Sequence, residues 1–286
     1  MPPAPFSLLT IVKGRRRHLN ALLRGVSAAR LVPTEMVIVF MNEELPDDLP
    51  ILPCRLTTAT LHDADHALPL AAARNRAAKL ATTPNLLFLD VDCIPNPDYT
   101  RVLLEALSQY GGLLMGEVRY LPEPLPDDWT LSTLTATGLP HPRRPQVPVG
   151  AVQLTNTYHL FWSLSFAITK IDFERIGGFD EHYVGYGGED TDFAFSARDA
   201  GLPFRLVGAV CYHQHHATCT PPYNHLEDIV TNAKAFYEKW GKWPMEGWLD
   251  AFAASGHVRR SEDDLELLRL PTEEDIARHR SDAPFA

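Results

Sequence analysis

Three short apolar runs punctuate the first ninety residues, and the segments between them repeat at helical spacing, which leaves such a chain few ways to fold. Phe6–Val12 (FSLLTIV), Met36–Met41 (MVIVFM) and Leu86–Leu89 are apolar at nearly every position, the pattern of strands buried on both faces. The stretch after the first run, to about Ala29, carries apolar residues at helical intervals. Leu70–Leu80 (LAAARNRAAKL) is dense in strong helix formers and stops at Thr82-Thr83-Pro84. Strand and helix in alternation predict an α/β domain, a mostly parallel central sheet flanked by helices.

The second half reads differently. Residues 121–150 are rich in proline and poor in apolar side chains, which predicts a long irregular surface loop of the kind that serves as a lid. Phe161–Thr169 reads as a strand, Ile171–Ile176 as a short helix, and Gly177–Gly188 as a glycine-rich turn opening a helix from about Asp190 to Ala200, where Gly201 stops it. Phe204–Val210 is a further strand and Leu226–Trp240 an amphipathic helix; the last 25 or so residues are charged and expected to be loosely held. The division expected is a catalytic domain over 1–220, with a nucleotide-binding part (1–115) and an acceptor-binding part (150–220), followed by a helical extension over 221–286.

Charge and composition exclude several classes. With 26 basic against 36 acidic residues, the net charge of −10 and the lack of a long basic run argue against a nucleic-acid partner. No apolar stretch approaches the ~20 residues that span a bilayer, and the N-terminus lacks a basic segment followed by a long apolar one. Cys54, Cys93, Cys211 and Cys219 are too scattered for a disulfide framework or a CxxC site, so reduced thiols in a cytoplasmic protein are expected.

Three constellations carry chemistry. Asp90-Val91-Asp92 sits where a predicted strand runs out, the place where α/β sheets collect ligands, and two carboxylates at i, i+2 suit Mg²⁺ or Mn²⁺ beside a diphosphate. By itself such a triplet is more often a turn. Between Gly177 and Phe195 lie five glycines and five carboxylates, with Glu189 and Asp190 opening a helix whose dipole favours their ionised form. One of them can take a proton from an attacking hydroxyl, for which Asp190 is the candidate base and Glu189 the acceptor grip. Cys211–His216 (CYHQHH) places three histidines after a strand: a metal ligand for the Asp92 site, a zinc site with Cys211 and Cys219, or a polar loop.

In their order along the chain, these segments resemble the GT-A glycosyltransferases, particularly the family-2 type and the galactosyltransferase family. Lys13–Leu19 (KGRRRHL) looks like the nucleotide loop after the first strand, Asn75-Arg76-Ala77 like the NRA element, Phe88–Pro95 (FLDVDCIP) like the DVD segment, and Gly178-Phe179 followed by Tyr183–Asp192 (YVGYGGEDTD) like the GF…WGWGGEDDD stretch. The resemblance implies nucleotide binding by Lys13, Arg15, Arg76 and Asp90, and metal binding by Asp92, Asp90 and His213, with His215 as a fallback. It also implies that Asp190 is the catalytic base. Tyr186 and Val184 stand where the family has tryptophans, so galactose specificity does not carry over. Tyr186, Tyr183, Trp162 and Gly188 are expected on the acceptor side.

The activity expected is a metal-dependent, inverting transfer from a nucleotide-diphosphate sugar, UDP favoured, to a glycan, lipid-linked or small-molecule acceptor. A nucleotidyltransferase and a non-catalytic carbohydrate- or metal-binding module are the alternatives.

Overall fold

The computed structural model describes residues 3–66 and 68–285. Its first part is the expected winding: β1 (Phe6–Val12), α1 (Arg16–Ser27), β2 (Glu35–Met41), β3 (Arg55–Leu61), α2 (Leu70–Leu80) and β4 (Asn85–Leu89). β3, β2, β1 and β4 lie side by side and parallel. Every residue of β1 and β2 is buried because successive side chains serve opposite faces. Leu8 and Val12 join a core with Leu22 and Val26 of α1, whereas Leu9 and Ile11 join one with Ala73 and Ala77 of α2.

Beyond β4 the sheet changes direction. After β5 (Cys93–Pro95), α3 (Tyr99–Tyr110) and β6 (Leu113–Tyr120), the chain forms α4 (Leu131–Thr137), β7 (Leu139–Pro140), β8 (Val152–Thr155) and β9 (Ser165–Thr169). β9 inserts between β4 and β6, antiparallel to both, so the sheet is mixed rather than mostly parallel. Next come α5 (Lys170–Arg175), α6 (Glu189–Asp199) and β10 (Phe204–His213), which runs parallel to β6. β5 pairs antiparallel with the end of β10 that carries His213. This draws the DVD turn and the histidine segment to one sheet edge.

Two further expectations are corrected. Residues 121–150 are not wholly irregular: α4 is capped by Thr130, and Trp129, Leu134 and Val147 are buried. Nor are residues 262–285 loose. After β11 (Thr218–Cys219), α7 (Leu226–Trp240), α8 (Glu246–Ala254) and β12 (Val258–Arg260), the chain forms β13 (Leu265–Leu267), α9 (Glu273–Arg278) and β14 (Arg280–Ser281). β12 pairs with β13, β14 with β11, and Thr272 and Asp275 close a capping box on α9. The extension therefore mixes helices with two small ribbons around a core of Leu226, Ile229, Leu249, Phe252 and Leu265.

Candidate active site

The DVD turn follows β4. The Asp90 amide donates to the Leu164 carbonyl at 2.8 Å and the Cys93 amide to the Asp90 carbonyl at 2.9 Å, which fixes the turn in the mouth of the sheet. Gln214, buried just past β10, clamps it from the other side: its amide donates to the Asp92 carbonyl at 2.7 Å and its side chain to the His18 carbonyl at 3.0 Å.

Asp92 is the hub of the metal candidates. One carboxylate oxygen meets His18 Nδ1 and lies 3.6 Å from Arg15 Nε; the other lies 3.3 Å from His216 Nε2. Ligand atoms of Asp92, His213 and His216 all fall within 4.8 Å of one another. Burial alone would raise the Asp92 carboxyl, but hydrogen bonds from His18 and His216 overcome it and hold the group far below the usual range. Burial pulls His213 down to about 4, so its imidazole is neutral near pH 7 and free to coordinate. One carboxylate and two imidazoles form a donor set suited to Mn²⁺ or a similar divalent ion. His213 thus joins this group. His215 does not: its Nε2 bonds the Asp282 carbonyl at 2.7 Å, and His216 takes its place beside Asp92.

Asp90 stands apart from that triad. Burial and the nearby Asp92 charge push its carboxyl up to about 6, against the pull of Arg74 and Arg15. Lys13 is half-buried at the end of β1, close to Arg15 in sequence.

The second cluster hangs on Arg74. Its guanidinium meets Glu189 at 3.0 Å, both groups being buried, and its positive charge also lowers Asp90 and Asp190. One cation is therefore shared by the DVD turn and the start of α6. Arg76 is on the exposed face of α2 and makes no ion pair among the described residues, so Arg74 and not Arg76 joins this cluster. Helical phase explains the swap: Ala71, Arg74, Ala77 and Ala78 share the inward face.

Asp190 is pushed up to about 7, first by burial and then by the Glu189 charge, with Arg74 and the Thr191 hydrogen bonds pulling the other way. Gly187 and Gly188, at φ +97° and +93°, make the tight left-handed approach into α6. Asn75 fixes the far end of this loop: its amide donates to the Phe179 carbonyl at 2.8 Å and its Oδ1 accepts from the Phe179 amide at 2.9 Å.

The aromatic residues divide. Tyr186 is 37% exposed, stacks on His225 at 4.6 Å and feels the charges of Glu189, Asp190 and Asp90, which puts it at the site. Tyr183 is buried and donates to Asp192 Oδ1 at 3.1 Å, so it is a structural strut and not an acceptor platform. Trp162 is half-buried between His141, at 4.8 Å between ring centres, and the Arg144 guanidinium at 4.9 Å.

Comparison with known proteins agrees with this geometry. Residues 65–169 match the family described as glycosyl transferase family 2, and residues 143–217 match that described as the N-terminal domain of galactosyltransferase. Validoxylamine A glucosyltransferase of Streptomyces hygroscopicus subsp. jinggangensis (strain 5008) is 28% identical over 170 residues, 53% of this chain and 40% of that protein. Chondroitin synthase of Escherichia coli is 26% identical over 174 residues, 52% of this chain and 25% of that protein. The chain thus spans less than half the length of these curated relatives. Among solved structures, S. aureus TarS 1–349 in complex with UDP superposes with a TM-score of 0.54 at 14% identity, covering 80% of this chain and 64% of that one. GalNAc-T7 with UDP, GalNAc and Mn²⁺ superposes with a TM-score of 0.55 at 13% identity, covering 90% of this chain and 58% of that one.

Proposed function

We propose that this chain, which belongs to the GT-A glycosyltransferases, transfers a sugar from a UDP-sugar to an acceptor hydroxyl with inversion at the anomeric carbon. The observation that carries the reading is Arg74, one guanidinium that neutralises Glu189 and pulls on both Asp90 and Asp190. A nucleotidyltransferase or a non-catalytic binding module gives no reason to hold a proton acceptor beside the DVD turn.

In this reading Asp190 takes the proton of the acceptor hydroxyl as that oxygen attacks the anomeric carbon. A carboxyl poised near neutrality is matched to that task. Glu189, held by Arg74, accepts a hydrogen bond from a second acceptor hydroxyl and sets its orientation. Tyr186 packs against the acceptor, and Lys13 and Arg15 face the nucleotide phosphates. Asp92, His213 and His216 would hold Mn²⁺ or Mg²⁺, which when bound supplies positive charge against the departing diphosphate. Among the described residues no helix is long and apolar enough to cross a membrane, and the four cysteines are free; a cytoplasmic setting fits those thiols.

Calorimetric titration of UDP and GDP with and without Mn²⁺, on the wild type and Asp92→Ala, tests the donor half. UDP binding that requires both Mn²⁺ and Asp92 is expected. Absence of nucleotide binding under every condition would sink the transferase reading.

A further inference from the structure

β6 carries Glu117 and Arg119 two residues apart, on one face of the strand. Arg144, from the segment after β7, packs near them: both arginines pull the Glu117 carboxyl down, although burial outweighs them and leaves it raised. Burial likewise lowers Arg144. Arg144 Nη1 and Arg119 Nε are both removed from water with no hydrogen-bond partner, and neither guanidinium has a carboxylate within ion-pair distance among the described residues. Two guanidiniums thus lie near one carboxylate without pairing with it, and each keeps a buried donor unmet. Such donors cost stability unless something supplies acceptor oxygens.

The place of these groups says what supplies them. The Arg144 Cζ lies over the Trp162 ring at 4.9 Å from its centre, a cation–π contact that occupies none of its N–H donors. His141 meets Trp162 at 4.8 Å and Tyr120 at 5.4 Å, and Tyr120 stacks at 4.8 Å on His213 of the metal triad. An aromatic wall therefore runs from the triad to Arg144, and aromatic faces suit sugar rings.

We propose that Arg144 and Arg119 form an anion-recognising subsite beside the reaction centre, which holds a carboxylate or phosphate carried by the sugar substrate. The proposal rests on the sugar-transfer reading of the site. The anion belongs either to the acceptor or to the transferred sugar; the fork reads both alike.

The test is a set of paired calorimetric titrations on wild type, Arg144→Gln, Arg144→Lys and Arg119→Gln. Glucuronate is compared with glucose and glycerol 3-phosphate with glycerol, with and without UDP and Mn²⁺; UDP-glucuronate is compared with UDP-glucose. In the wild type at least one acid should bind about tenfold tighter than its neutral counterpart. That preference should vanish in Arg144→Gln, weaken in Arg119→Gln and survive in part in Arg144→Lys, while UDP affinity stays unchanged. Preference among the free acids puts the anion on the acceptor; preference for UDP-glucuronate puts it on the donor. No acid preference in the wild type, or a preference that persists in both glutamine variants, overturns the subsite. Loss of UDP binding in the wild type would instead strike the sugar-transfer reading, and the nucleotide-free titrations would still decide on the subsite.

Discussion

The Arg74 guanidinium and the Glu189 carboxylate meet at 3.0 Å with about a tenth of each side chain exposed, joining α2 to the first residue of α6. A pair this deep gains little over well-packed apolar side chains, yet breaking it strands a charge. Arg74→Met should therefore destabilise the protein by roughly 3–5 kcal/mol. Replacing both residues by methionine should recover most of that loss. Urea unfolding of the single and double variants measures both; a single variant within 1 kcal/mol of wild type, by the same reasoning, would mean that Glu189 is not buried.

Asp190 gives opposite predictions for activity and stability. Its carboxyl, pushed up to about 7, carries the proton-accepting charge only above that pH, so kcat/KM should fall as the pH drops below about 7. In the unfolded chain the same carboxyl titrates near the ordinary aspartate value. Folding thus favours the protonated form, and the stability that gives is present at low pH and lost as the pH rises through about 7. Asp190→Asn escapes that loss. It should melt higher than wild type at pH 8 while turnover drops by about 10²–10⁴-fold. A variant that keeps turnover would remove Asp190 from the base role.

What could be read in the sequence follows from what repeats. β1 and β2 are legible because a strand buried on both faces is apolar at nearly every position, and each of their apolar residues meets one of two cores. The antiparallel course of β9 is not, because SFAIT carries the same apolar signal whichever way it runs. The choice between Arg74 and Arg76 was open to reading: the alanines of α2 mark its buried face, and Arg74 falls on it. The choice among His213, His215 and His216 was not. β10 ends at His213, and past that point side chains no longer alternate between faces. His18 as a partner of Asp92 left no local signal, since 74 residues separate them.

The histidines separate cleanly by experiment. His213→Ala and His216→Ala should each weaken Mn²⁺ binding by about tenfold or more, as loss of a metal-site group does. His215→Ala, which loses only a bond to the Asp282 carbonyl, should leave Mn²⁺ affinity within about twofold, below the ~10-fold that marks a metal-site group. Mn²⁺ titration followed by electron paramagnetic resonance reads all three. If His215→Ala proves the most damaging, the triad is assigned wrongly.

Asn232 on α7 holds the loop that leads to Asp190, and tests how far the extension governs the site. Its Oδ1 accepts from the Val184 amide at 3.0 Å, and its Nδ2 donates to the Val184 and Gly187 carbonyls at 2.7 and 2.8 Å. The residue is 1% exposed, so no water replaces those bonds when it is cut back. Asn232→Ala should cost about 2–4 kcal/mol, since one donor and two acceptors are left unmet. Asn232→Asp should be worse at neutral pH: a carboxylate still accepts from Val184 but faces two carbonyls with no proton to offer. Mild acidification, which returns a proton, should restore part of its stability. Because the loop carries Tyr186 toward Glu189 and Asp190, both variants should raise the acceptor KM and leave UDP affinity unchanged. Matching rises in acceptor KM and UDP dissociation constant would mean that the loop also shapes the donor side.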